Sequence, residues 1–176
     1  MKITAPIDEK TARSLKAGDM VELSGVIYTG RDAAHKRLTE MLARGEASPV
    51  ELADQVIYYC GPCPAPPGKP IGSAGPTSSL RMDSYSPELI RKYHLRSMIG
   101  KGARSREVVE AMKEAGGVYF AATGGAGALV AKSVVKCEVA AFEDLGPEAI
   151  YRLEVKDLPL IVATDSEGNS LYKNSH

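Results

Sequence analysis

The residues best suited to chemistry lie in one stretch, Ile71-Gly-Ser-Ala-Gly-Pro-Thr-Ser-Ser-Leu-Arg-Met-Asp83. Gly72, Gly75 and Pro76 precede three hydroxyls, Thr77, Ser78 and Ser79, and Arg81 and Asp83 stand just behind them. Glycines allow close backbone approach, and backbone N–H groups with hydroxyls entering a short helix form a ready anion site. If the segment is helical, Arg81 shares a face with Thr77 and can clamp a carboxylate at two points. The competing reading is a glycine-rich loop with a hydroxyl N-cap and a solvated arginine.

Two further cations sit at corners beside glycines. Arg31, in Thr29-Gly-Arg-Asp32, falls where a strand meets a helix, with Asp32 as a plausible N-cap. Such corners, at the carboxyl ends of strands, are where α/β proteins tend to bind ligands. The other reading of Arg31 is a surface arginine with a local ion pair. Lys101 lies between Gly100 and Gly102. Arg31, Arg81 and Lys101, with Thr77, would make a pocket for a small polyanion. Arginine suits a bidentate carboxylate and lysine supplies a point charge, so a dicarboxylate fits better than a nucleotide.

Other candidate motifs are weaker. Thr123-Gly-Gly-Ala-Gly127 lacks the spacing of either common phosphate-binding glycine motif and reads as tight strand–helix packing. Cys60 and Cys63 form a Cys-Gly-Pro-Cys pair, but Pro64, Pro66 and Pro67 break the helix that would lower a thiol pKa. Cys137 is remote in sequence, and the histidines are scattered at 35, 94 and 176. Structural or incidental cysteines are the expected reading, with no metal centre built from this chain alone.

The elements that must position these residues alternate between strand and helix. Strands are expected at 2–7, Val21–Tyr28, Gln55–Cys60, Ser97–Gly102, Val118–Ala122 and Val139–Phe142, and a hairpin pairs Leu160–Thr164 with Leu171–Tyr172. A turn or short helix is expected at Asp8–Lys16. Helices are expected from Asp32 to Gly45, from Ser86 as N-cap with Pro87 next, from Ser105 to Gly116, over Ala128–Val135 and over Pro147–Leu153. Six prolines between 62 and 76 exclude regular structure there and suggest a rigid connector into the 71–83 stretch. The pattern is that of an α/β domain with a mixed sheet, or two sheet layers with helices on one side.

Bulk properties agree with one ordinary domain over residues 1–176. Apolar residues make up 44% and charged residues 25%, and 22 basic side chains balance 22 acidic ones. No net basic field argues for nucleic acid. There is no apolar run of about 18 residues, so no membrane span is expected. The amino terminus lacks the apolar core of a signal peptide, which makes a cytoplasmic location the expectation.

Five segments in order carry a resemblance: Thr29–His35, Tyr59 with Gly61–Ala65, Gly75–Asp83, Ile99–Gly102 and Gly124–Leu129. Together they resemble the class I fumarate hydratase family, specifically its β subunit or the C-terminal domain of fused members, shared with L-tartrate dehydratase. The resemblance implies a swivelling β/β/α three-layer domain in a hetero-oligomer, with self-association of the isolated chain left open. It implies an α-subunit partner that binds the [4Fe–4S] cluster, while this chain binds none of it. It implies a small dicarboxylate substrate, held by Arg31, Arg81 and Lys101, with proton transfer near Thr77. Asp32, His35, Ser78 and Asp83 stand in the matching motifs as supporting residues. A neutral threonine is a weak base and needs help from another group. The different-class alternative is a non-catalytic module that caps or regulates its partner.

Overall fold

Alternate side chains of the short central strands leave the sheet on opposite sides and seed two separate cores. The computed structural model describes residues 1–122 and 126–172. Its strands are β1 (Lys2–Ala5), β2 (Met20–Thr29), β3 (Val56–Tyr58), β4 (Ser97–Gly100), β5 (Val118–Ala122), β6 (Val134–Ala141) and β7 (Ile150–Thr164). Its helices are α1 (Glu9–Ser14), α2 (Asp32–Ala43), α3 (Ser86–Tyr93), α4 (Arg106–Ala115) and α5 (Ala126–Ser133).

The strands form one mixed sheet in the order β1-β2-β3-β4-β5-β7-β6. The pairs from β1 through β5 are parallel, whereas β7 runs antiparallel to β5 and β6. β7 also pairs antiparallel with β2, so β2, β3, β4, β5 and β7 close on themselves. Val56, Tyr58, Ile99, Val118 and Phe120 point into this enclosure and meet Leu153, Val155, Leu160 and Val162 of β7. Ile57, Tyr59, Met98 and Tyr119 take the other face and pack beneath α2, α3 and α4 through Leu38, Leu42, Leu89, Ile90, Val108 and Met112. The period of two thus separates a strand-lined core from a helix-covered one, consistent with three layers.

Local chemistry fixes most boundaries. Ser105 accepts from the Val108 N–H and starts α4, and Gly116 ends it in the left-handed region. Gly25 bulges β2 at φ 112°, where the Ala5 backbone of β1 leaves no room for a β-carbon. Asp8 caps α1 through the Thr11 N–H.

Several expected boundaries move. β3 ends at Tyr58, short of Cys60. Ser86 is the first residue of α3 and not its cap, because its hydroxyl is turned inward and donates to the Met82 carbonyl at 2.9 Å. Pro147–Leu153 is not a helix. A 3₁₀ segment at Glu143–Glu148 gives way to β7 at Ile150, whose Leu153 and Val155 fill the strand-lined core. Residues 59–77 carry no helix or strand, as their prolines require. They are nonetheless tied down: Cys63 N–H donates to Ser73 at 2.9 Å, Gly72 N–H to Cys63 at 3.2 Å, and the Tyr58 hydroxyl to Ala74.

Candidate active site at the carboxyl ends of parallel strands

β2, β3 and β4 run parallel side by side and deliver Arg31, Gly61 and Lys101 to the same edge of the sheet. The 71–83 stretch is wedged between two of these ends. Thr77 N–H donates to the Tyr59 carbonyl at 2.7 Å, and Ser79 N–H to the Lys101 carbonyl at 2.9 Å. Lys101 N–H returns a longer bond to Thr77 at 3.4 Å, and Ser78 bridges Lys101 in parallel fashion. Gly100 makes this possible, since a β-carbon there would overlap the Ser79 hydroxyl and the Tyr59 ring.

Thr77 therefore lies in extended chain, outside the single 3₁₀ turn Ser79–Met82 that carries Arg81. The expected shared helical face of Thr77 and Arg81 does not exist. Arg81 instead donates through Nε to Asp32 Oδ2 at 3.0 Å, across from the start of α2. Arg31 Nε stands 4.0 Å from Asp32 Oδ1, too far for a hydrogen bond, and both atoms are buried without a partner among the described residues. Two guanidinium groups thus flank one carboxylate. The side chains of Arg31 and Asp32 are 28% and 35% exposed and that of Arg81 54%, so the cluster opens to solvent. Lys101 is exposed, and Thr77 and Ser78 are half-buried.

Asp32 does not cap α2. The capping position is Arg31, whose side chain makes no capping bond, and the Glu148 carboxylate accepts from the Ala33 N–H at 3.2 Å. Asp32 is freed for the arginines. His35, one turn along, is not at the site edge. Its ring is buried against Tyr59 and Tyr85, and its Nδ1–H donates to the Arg31 carbonyl at 2.8 Å. Burial pushes its pKa down to about 4 despite that bond, so the ring is neutral at neutral pH and steadies the Arg31 backbone.

Asp83 is also turned inward. Its Oδ1 accepts from Arg104 Nε at 2.8 Å and its Oδ2 from the Ser105 N–H at 2.5 Å. Sequence reasoning missed Arg104 altogether. Its side chain is fully buried, with the guanidinium carbon 5.1 Å from the Tyr59 ring centre and 4.9 Å from that of Tyr119. The only sequence signal was indirect: tyrosines at interior strand positions need partners for their hydroxyls.

The cysteines do not assemble a metal-ligand set. Cys60 is buried, and burial pushes its thiol up to about 12 against the opposing charge of Arg31. Cys63 is exposed, and with half-buried Cys137 it lines a surface groove beside Tyr151. Among the described residues no three Cys, His, Asp or Glu side chains converge on one point. Thr123–Gly125 of the glycine cluster and His176 lie outside the described residues. The remaining glycine, Gly127, packs so closely on Ser73 that a β-carbon would collide with its hydroxyl, as tight packing requires.

Comparison with known proteins adds a second line. The family model described as Fumarase C-terminus matches residues 1–175. The chain is 40% identical over 176 residues to "Putative fumarate hydratase class I" of Geobacillus stearothermophilus, covering 98% of this chain and 33% of the relative. It is 41% identical over 176 residues to "Putative L(+)-tartrate dehydratase subunit beta" of Methanocaldococcus jannaschii, covering 95% and 88%. It is 36% identical over 173 residues to "Fumarate hydratase 2" of Leishmania major, covering 97% and 30%. The chain therefore spans about a third of the fumarate hydratase relatives and most of the β subunit.

Proposed function

The chain belongs to the fumarase C-terminus family, and from that premise we propose that it supplies half of a hydro-lyase site for a four-carbon dicarboxylate. The leading reaction is reversible hydration of fumarate to L-malate. L-Tartrate dehydration is the second reading, favoured by the β-subunit relative. Neither relative's name assigns a role to any residue here.

The observation that carries the reading is the Arg31–Asp32–Arg81 cluster, open to solvent, with Arg81 on the stretch that Ser78 bridges to Lys101. Arg31 and Arg81 take the two substrate carboxylates, and Lys101 adds positive charge where an aci-carboxylate would develop. Cations at that position stabilise the carbanion formed by removing a proton α to a carboxylate. Thr77 lies beside that carbon and relays its proton. The hydroxyl gives up its own proton to a base supplied by the other half of the site as it accepts the substrate's, and so stays neutral.

The other half of the site belongs to an α subunit or domain that holds the [4Fe–4S] cluster. The cysteines of this chain do not fit as ligands of that cluster, so its chemistry is assigned wholly to the partner. The test is anaerobic assembly with that partner, followed by fumarate absorbance. Arg81→Lys and Thr77→Ala should each depress turnover. Full activity in both variants would leave a capping or regulatory module as the better reading.

A further inference from the structure

We propose that Arg104 is a positioning residue that fixes Thr77, Arg81 and Lys101 relative to one another. The inference rests on the reading of those three residues as the working face.

Arg104 is fully buried, and its contacts with Asp83, Tyr59 and Tyr119 adjoin the three. Nε donates to Asp83, the residue that ends the 3₁₀ turn carrying Arg81. Nη2 donates to the Tyr59 hydroxyl at 3.0 Å and to Ser86 at 3.1 Å. Tyr59 is the residue whose carbonyl holds the Thr77 N–H. The guanidinium also lies over the Tyr119 ring, 4.9 Å from its centre. The Tyr119 hydroxyl donates to the Gly102 carbonyl at 2.8 Å, next to Lys101, and pairs with the Ser79 hydroxyl at 2.6 Å. One planar cation, carried on the same connection as Lys101, therefore joins the end of β3, the 71–83 stretch and β5.

The arrangement uses geometry as well as charge. Two aromatic faces and three acceptors in different directions suit a planar fork, and a lysine ammonium could satisfy only part of them. Nη1 has no partner among the described residues. A purely stabilising arginine could sit anywhere in the helix-covered core. This one lies directly below the edge where the loops of β3 and β4 separate to admit Thr77–Ser79.

The test compares wild type, Arg104→Lys and Tyr119→Phe in the full chain and in the assembled complex, well below each melting temperature. Amide exchange in the isolated chain should show Arg104→Lys losing protection at both Thr77 and Ser79 by roughly tenfold or more, with β5 amides unchanged. Tyr119→Phe keeps the ring and should loosen Ser79 but spare Thr77, whose acceptor is Tyr59. In the complex, Arg104→Lys should lower kcat by roughly tenfold or more, beyond any change in KM. A merely structural arginine would lower stability and exchange protection uniformly and leave kcat of the folded fraction intact. That result overturns the proposal. Selective exchange changes with an inactive wild-type complex would sink the functional reading and leave the positioning role standing. Lower kcat with unchanged exchange would do the reverse.

Discussion

Two arginine–aspartate pairs meet the 71–83 stretch, one through Arg81 and one through Asp83, and have opposite surroundings. Arg104 and Asp83 meet at 2.8 Å with side chains 0% and 8% exposed. Arg81 and Asp32 meet at 3.0 Å with side chains 54% and 35% exposed. The buried pair is costly to break, because removing one partner strands a charge in a medium of low polarity. The exposed pair contributes little, because water and salt compete for both groups. Under the proposed function, the difference suits them to different work. A guanidinium that must release its aspartate to take a ligand carboxylate needs the weak pairing. A guanidinium that must keep loops in place needs the strong one.

The comparison breaks most visibly at Arg104. Arg104→Met keeps much of the volume but leaves Asp83 buried and unpaired, and should cost about 3–5 kcal/mol in chemical denaturation of the isolated chain. A loss below about 1 kcal/mol would mean that Asp83 finds water, and the buried pair would then resemble the exposed one.

Arg81 should behave in the reverse way. Arg81→Lys should leave unfolding free energy within about 0.5 kcal/mol, because it touches only an exposed aspartate. It should nonetheless lower kcat/KM of the assembled complex by roughly 30- to 1,000-fold, the equivalent of about 2–4 kcal/mol. A raised KM would place the clamp in ground-state binding, and a lowered kcat with constant KM in the transition state.

His35 extends the contrast to a group that titrates. Its pKa is about 4 folded and 6.5 unfolded, with burial as the main cause. Between those values the unfolded chain binds the extra proton, so stability rises with pH. The contribution is fully present above about pH 6.5 and is lost as the pH falls towards about 4. From about pH 7 to about pH 5 it should amount to about 2 kcal/mol, from some 1.5 pH units at 1.36 kcal/mol each. His35→Gln should flatten that part of the wild-type slope. An unchanged slope would mean that His35 reaches water.

What could be read from the sequence divides along the same line. The loop cations Arg31 and Lys101 stand beside glycines at strand ends, and that local punctuation gives away their place on one edge. The capped helix α4 and strand β5 follow equally local rules. The sequence leaves open whether Thr77 is helical or in a loop, because the hydrogen-bond partners that decide it, Tyr59 and Lys101, come from distant strands. Asp32 and Ser86 looked like helix caps, and tertiary partners claimed both side chains instead. Arg104 and its pairing with Asp83 are illegible for a stronger reason. A buried ion pair has no periodicity of its own, and a charged residue before a helix ordinarily faces water.

The smallest expected effect is the sharpest test of the comparison, because it measures the two pairings by one method. A double-mutant cycle with Arg81→Ala and Asp32→Ala should give a coupling of about 0.2–1 kcal/mol at low salt. At about 1 M salt, where the screening length is about 3 Å, that coupling should approach zero. A parallel cycle with Arg104→Met and Asp83→Leu should give a larger coupling that salt hardly moves, since ions cannot reach side chains with 0% and 8% exposure. The exposed cycle is read by denaturation and again by affinity of the isolated chain for a small dicarboxylate. Asp32→Ala removes the competitor for Arg81, so affinity should rise about two- to fivefold, in line with a pairing worth at most about 1 kcal/mol. A coupling above about 2 kcal/mol that persists in salt would make Arg81–Asp32 a structural pair, and Arg81 would no longer be free to hold a substrate.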